Sequence, residues 1–127
     1  MIIDISDHKS VEDVSDKFND FFPFLKIEFY EGPHHWDKVP GDQKAFPPNT
    51  KLGEIRKVHS HGPLEIHSWF KTAELEYLFK KQFDLNVQVF RLNGEEWVPT
   101  IPTDGLTLRE QNESGSKSNG DYQQRTA

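Results

Sequence analysis

The chain contains a weak internal repeat, and this repeat constrains the possible folds more than any other feature. Residues 3 to 32 and residues 64 to 94 each run through a strand pattern, a helix pattern and a second strand pattern. Apolar and polar residues alternate around Ile3 and Ile5, and the same alternation returns at Leu64, as expected for half-buried strands. Each unit therefore predicts a βαβ arrangement.

A helix is predicted in the middle of each unit. Ser10 is a favourable N-cap residue, and the apolar residues after it fall on one helical stripe as far as Pro23. In the second unit Thr72 can cap a helix, and Phe79 repeats the position that Phe18 has in the first unit. The two units thus share their helix as well as their strands.

The second unit ends on a hairpin signal. Asn93–Gly94 is the residue pair that a type I′ turn prefers, and Glu95 to Val98 would return as a fifth strand. Two tandem βαβ units usually form a ferredoxin-like two-layer sandwich, which is α+β in class and has both helices on one face of an antiparallel sheet. We therefore predict this fold, with an extra C-terminal hairpin strand and the strand order 5-4-1-3-2.

A single domain is predicted from residue 1 to residue 112. The chain has 127 residues, which suits one core, and its ten Phe and three Trp add buried area to a hydrophobic content of only 34%. Residues 31 to 62 form a long connection rich in His and Pro, with a short helical stretch predicted at residues 50 to 58. Residues 113 to 127 are polar with nothing to bury, so a disordered tail is predicted.

Four segments of this domain resemble a family of small uncharacterised bacterial proteins. They are Phe22 to Phe29, Leu52 to Ile55, Leu85 to Arg91 and Leu106 to Asn112, and the likeness extends over most of residues 1 to 112. The resemblance implies a shared fold. It carries over no activity, cofactor or catalytic residue.

Composition and motifs exclude several functional classes. The net charge is −6, and no segment gathers Lys and Arg into the basic stripe that nucleic acid requires. The chain has no Cys, which excludes disulfides and thiolate chemistry, and it has no glycine-rich nucleotide motif, so no cofactor is predicted. Residues 1 to 7 lack the positive charge of a signal peptide, and no apolar run reaches the roughly 20 residues of a membrane span. A cytoplasmic protein without a membrane partner is therefore expected.

Histidine offers the clearest candidate for a ligand site. Five of the six His lie between residues 34 and 67, and His59 and His61 form an H-x-H pair. In an extended chain both imidazoles of such a pair point to one side, which suits a divalent metal. Gly62–Pro63 follows directly and no further metal motif is present, so the alternative is a pair of surface histidines in a loop.

An association surface is the second candidate. In the predicted sheet the strand Leu25 to Tyr30 is an edge, where Ile27 and Phe29 would favour pairing with another strand. The sheet face away from the helices would carry Tyr30 and Phe90 in an open acidic and aromatic surface. These four residues are therefore the predicted contact with a protein partner or a second copy of the chain.

A binding or interaction module is the function that the sequence favours, since no catalytic constellation is present. Two alternatives stay open. One is a small metal-binding protein or metal-dependent enzyme that uses His59 and His61. The other is a small-molecule sensor, which would need a concave apolar pocket under Trp36 and Phe46.

Overall fold

The computed structural model describes residues 1–32 and 44–126, with side chains as far as residue 124. Over these residues the protein is α+β, with three helices and five antiparallel strands in two small sheets, an arrangement compatible with a two-layer sandwich. The elements in chain order are β1 (Ile2–Ile5), α1 (Val11–Phe21), β2 (Leu25–Tyr30), β3 (Gly62–Glu65), α2 (Thr72–Phe83), β4 (Asn86–Asn93), β5 (Glu96–Pro99) and α3 (Leu108–Thr126). Single 3-10 turns lie at Leu52–Glu54 and Ile101–Thr103, the first inside the predicted helical stretch 50 to 58.

The first helix begins where the sequence predicts. The hydroxyl of Ser10 accepts a hydrogen bond from the backbone N–H of Asp13 at 3.1 Å, and the carboxylate of Asp13 accepts one from the N–H of Ser10 at 2.9 Å. α1 ends at Phe21, just before Pro23. α2 differs slightly, because Lys71 is its N-cap and Thr72 is already the first helical residue.

The pairing of the strands differs from the predicted order. β1 pairs with β3 and β4 pairs with β5, as expected, but β2 lies beside β4 over its whole length, with Ile27 opposite Val89. The order 5-4-1-3-2 would instead place β2 beside β3 and β1 beside β4. That order is therefore wrong, and a ferredoxin-like connectivity is not confirmed.

Pro63 gives a physical reason for this difference. Met1 and Ile66 exchange both backbone hydrogen bonds, so the alternation of an antiparallel ladder turns the backbone nitrogen of Pro63 away from β1. Proline has no N–H to donate on that side, which is where β2 would have to pair. β3 is thus suited to an edge position and unsuited to the middle of a sheet.

The β4–β5 hairpin is present, but its turn lies one residue later than predicted. Asn93 pairs with Glu96, so the two turn residues are Gly94 and Glu95. Gly94 has φ +68°, whereas Asn93 and Glu95 do not have positive φ. A positive φ at the first turn residue alone matches a type II′ turn and not the predicted type I′ turn.

The core lies between the three helices and the inner faces of both sheets. Phe18 of α1 and Phe79 of α2 are fully buried, and the ring of Phe79 meets that of Phe29 edge-on at 6.1 Å. β1 and β3 contribute Ile3 and Leu64 to the same buried cluster. None of the helices in the described part of the chain has both the length and the apolar character that crossing a bilayer requires.

Residues 113 to 126, which the sequence predicts to be disordered, continue α3. The helix starts at a capping box, in which Thr107 and Glu110 bond each other's backbone N–H at 3.0 and 3.1 Å. Further along, the hydroxyl of Ser118 accepts from the N–H of Gly94 at 2.7 Å, and the hydroxyl of Tyr122 donates to Glu95 at 2.7 Å. Polar side chains therefore make the hydrogen bonds that hold this segment, and the hydrophobic pattern of the sequence does not indicate them.

Two glycines of α3 test whether this segment is helical in solution. A Cβ at Gly115 would lie 2.8 Å from Cβ of Phe24, whereas a Cβ at Gly120 would meet nothing within 4 Å. Gly115→Ala is expected to lower the free energy of unfolding by about 1–3 kcal/mol through overpacking. Gly120→Ala is expected to raise it by about 0.5–1 kcal/mol through helix propensity. In a disordered tail, urea titration would show no change for either variant.

Candidate functional site

The two histidines of the predicted metal site meet at one carboxylate. His59 Nδ1 lies 3.0 Å from both carboxylate oxygens of Asp7, and His61 Nε2 lies 3.4 Å from Oδ2 of Asp7. Both imidazoles are half-exposed. The structure thus brings His59 and His61 together, and it adds Asp7, which the sequence analysis does not single out.

Arg56 binds the same carboxylate from the protein interior. Its Nε and Nη2 donate to Oδ1 of Asp7 at 3.1 and 2.8 Å, and its side chain is fully buried. Its Nη1 donates to the backbone carbonyls of Ser60 and Phe83, at 2.8 and 3.1 Å. Arg56 therefore connects the residues after β1 with the loop before β3 and with the end of α2. The hydrogen bonds of His59 and Arg56 hold the pKa of Asp7 well below its usual range.

This cluster, formed by Asp7, Arg56, His59 and His61, has the contacts of a polar network around the Arg56–Asp7 ion pair. No group of three or more His, Asp or Glu side chains within residues 1–32 and 44–126 is placed to hold a metal ion. A metal at Asp7 would also lie beside the buried guanidinium, which already donates two hydrogen bonds to that carboxylate. His34 and His35 lie outside the described residues. The metal site at His59 and His61 therefore stays a prediction.

The four side chains predicted to form an association surface are buried. Ile27 and Phe29 belong to the core cluster, and Tyr30 and Phe90 are covered on the opposite face of the β2–β4–β5 sheet. Gln88, which lies between them on that face, is buried as well. These side chains are therefore not available to a partner in this structure, whereas Lys26 and Glu28 on the same face are about one-third exposed.

The outer edge of β2 is also closed. Its outward carbonyls belong to Leu25, Ile27 and Phe29. Asn19 Nδ2 donates to the first at 2.8 Å, Ser15 Oγ donates to the second at 3.0 Å, and the backbone N–H of Phe46 donates to the third at 2.8 Å. An added strand would need these same acceptors. The predicted docking of a partner strand on β2 therefore lacks its hydrogen-bonding edge.

Among the described residues, the most exposed large apolar side chain lies elsewhere. Trp69 is 65% exposed, and its ring stacks on that of His67 at 4.6 Å and 14°. Phe70 meets the Trp69 ring edge-on at 5.0 Å. The turn that carries these rings is held by the first residues of α3, since Leu108 N–H donates to Phe70 O and Arg109 N–H donates to Ser68 O, both at 2.9 Å. We call His67, Trp69 and Phe70 the aromatic platform.

The platform continues into the solvent-facing side of the β1–β3 sheet. Ile2 lies directly opposite Glu65, and both side chains are exposed. His67 Nε2 lies 3.4 Å from the carboxylate of Glu65, which joins the sheet face to the platform. Asp4 is exposed on the same face. We call this region, formed by Ile2, Asp4, Glu65 and the platform, the outer surface.

A buried carboxyl group lies away from both of these regions. Glu76 of α2 accepts a hydrogen bond from the backbone N–H of Val89 at 2.9 Å, at the point where β4 extends beyond its pairing with β5. Burial raises the pKa of Glu76 to about 7, and nearby Asp104 contributes in the same direction. Folding therefore depends on the protonation state of this residue near neutral pH.

Some of these residues carry a signal in the sequence and others do not. Trp69 lies in an H-x-W-F segment with His67 and Phe70, so the sequence indicates that other rings lie near it. The sequence does not indicate that Trp69 is exposed. Asp7 and Arg56 are 49 positions apart, and only the tertiary structure brings them together. Comparison with protein-family models, with curated proteins and with solved structures finds no match to this chain.

Proposed function

We propose that the protein is a non-enzymatic binding module that docks a protein partner on its outer surface, with Trp69 as the central contact. The observation that carries this proposal is the 65% exposure of Trp69 while its ring stacks on that of His67. Tryptophan is among the residues that contribute most to binding energy at interfaces. A side chain that is already held in place loses little conformational entropy on binding.

Charge favours a different protein over a second copy of this chain. The outer surface carries Asp4 and Glu65, and the chain has a net charge of −6. A two-fold contact through this surface would bring the carboxylates of both copies close together, which is unfavourable. A partner with Lys or Arg beside an apolar pocket would complement both the charge and the ring of Trp69.

The test compares two exposed aromatic residues. Tyr77 of α2 is 54% exposed and lies outside the outer surface, so it provides a matched control. Tagged wild type, Trp69→Ala and Tyr77→Ala are purified from the cells in which the protein occurs, and co-purifying proteins are quantified by mass spectrometry. We expect Trp69→Ala to lose a stoichiometric partner by at least about tenfold, the loss typical of a truncated hot-spot residue, while Tyr77→Ala retains it.

Equal recovery of the partner with both variants would contradict the proposal, and so would equal loss. Thermal unfolding of the two variants checks that each is folded, because both side chains are exposed and contribute little to the core. Sedimentation of the wild type over a range of concentrations distinguishes a separate partner from self-association.

A metal-binding role for His59 and His61 is the second proposal. It is supported by the convergence of both imidazoles on Asp7 within 3.4 Å. Elemental analysis of untagged protein separates the two proposals. The metal-binding proposal is favoured if the wild type contains stoichiometric metal and the His59→Ala, His61→Ala double variant does not.

A further inference from the structure

A groove runs along the edge of β2 on the side of α1. Its volume is about 370 Å³, and both apolar side chains and carboxyl groups line it. The apolar part includes Phe46, Pro48 and Trp97, and the carboxyl groups belong to Glu12, Asp16 and Glu28. The volume lies within the range of small-ligand sites, which are mostly apolar and carry a few polar groups.

Lys26 shows what kind of group this groove attracts. Its ammonium nitrogen lies 5.1 Å from the centre of the Trp97 ring, 5.6 Å from that of Phe90 and 3.3 Å from the carboxylate of Glu28. An aromatic face beside a carboxylate, here Trp97 and Glu28, is an arrangement that binds organic cations. In this structure the cation at these groups is the ammonium group of Lys26, a residue of the same chain.

We propose that this groove binds a small organic cation, an alkylammonium or a guanidinium, and that Lys26 competes with it for the face of Trp97. Three carboxyl groups line the groove against one ammonium group, so its charge favours a cation over an anion. The aromatic wall favours a weakly hydrated cation over a metal ion. This site lies apart from the outer surface and does not rest on the proposed partner.

The closed edge of β2 favours a compact ligand over a strand. The carbonyls of Leu25 and Ile27 already accept hydrogen bonds from Asn19 and Ser15. A peptide backbone could therefore not pair with these carbonyls as an added strand. What the groove leaves available is ring surface and carboxyl oxygen. A single cationic group uses both.

The sharpest test removes the internal competitor. Choline is titrated into 15N-labelled protein, and the indole N–H signal of Trp97 reports binding by NMR. Lys26→Met keeps the length of the side chain and removes its charge, so we expect it to bind choline at least about tenfold more tightly than the wild type. Lys81→Met is the matched control, because Lys81 lies over the ring of Tyr77 at 5.6 Å, outside the groove. It should leave the affinity unchanged.

Three further measurements complete the test. Trp97→Leu in the Lys26→Met background should abolish binding, as read from the backbone amide signals because this variant lacks the indole reporter. 3,3-Dimethyl-1-butanol, the neutral analogue of choline, should bind neither variant. N-acetylargininamide distinguishes the source of the cation. Tighter binding of it than of choline indicates a protein side chain, and the reverse order indicates a free metabolite. Equal affinities of Lys26→Met and Lys81→Met for choline, or binding of the neutral analogue, would overturn the proposal.

Discussion

Replacement of Arg56 with leucine is expected to lower the free energy of unfolding by about 3 kcal/mol. The guanidinium is fully buried and bonds Asp7 and the carbonyls of Ser60 and Phe83. Leucine fills part of the space but leaves these acceptors without a hydrogen-bond donor. Buried polar groups that lose their partner account for most of the destabilisation when a buried ion pair is broken. Urea titration at pH 7 measures the change.

Arg109→Leu is the matched control for this substitution. Arg109 also forms an ion pair, with Glu113 at 3.1 Å, but both side chains are mostly exposed. Such surface pairs contribute at most about 1 kcal/mol. A loss for Arg56→Leu no larger than that for Arg109→Leu would show that the cluster around Asp7 does not hold the loop before β3 in place.

The second large effect concerns pH. Glu76→Gln is expected to make the protein more stable than the wild type by about 3 kcal/mol at pH 8, with the two converging below pH 4.5. The folded wild type keeps the Glu76 proton up to about pH 7, whereas the unfolded chain loses it from about pH 4.5. Between these values the folded state binds more protons, so the contribution of Glu76 to stability falls as pH rises and is fully lost above pH 7. Glutamine can still accept from the N–H of Val89.

Free energies of unfolding measured by urea at several pH values between 4 and 8 test this prediction. Glu96→Gln is the control, because Glu96 is exposed on β5 and its substitution should leave the pH profile parallel to that of the wild type. A constant difference between Glu76→Gln and the wild type across this range would contradict the account. It would mean that the Glu76 carboxyl group is solvated in the folded protein.

The sequence predicts which segments form strands and helices better than it predicts which strands pair with each other. The strand and helix patterns of both units are confirmed, because alternation and helical periodicity are local properties. Which strand lies beside which depends on contacts between distant segments, and several apolar strands of similar length are interchangeable by pattern. Pro63 is the one local residue that argues against the predicted order, since it cannot donate toward a second neighbour.

The sequence does not predict the C-terminal part of α3, for a related reason. Its buried face includes Gln111 and Gly115, and its later contacts come from Ser118 and Tyr122. These residues give no apolar stripe, so composition indicates disorder. Gly115 packs against Phe24, just before β2, and Ser118 and Tyr122 bond the β4–β5 turn, so these partners are known only once the sheet is formed.

The candidate sites show the same division. His59 and His61 could be paired from their spacing, but their meeting point at Asp7 and the burial of Arg56 could not. Ile27 and Phe29 are apolar residues on an edge strand, and the sequence does not reveal that α1 closes that edge. Exposure is a property of the whole molecule, and for this reason Trp69 was not distinguished from the other two tryptophans.

Photo-crosslinking in cells tests whether position 69 contacts a protein partner. A benzophenone amino acid replaces Trp69 in one variant and Tyr77 in the other, and the crosslinked products are separated and identified after irradiation. If the outer surface binds a partner, position 69 gives a discrete adduct with one basic protein. Position 77 gives none. No adduct from position 69, or the same adducts from both positions, would contradict the assignment of Trp69 as the point of contact with a partner.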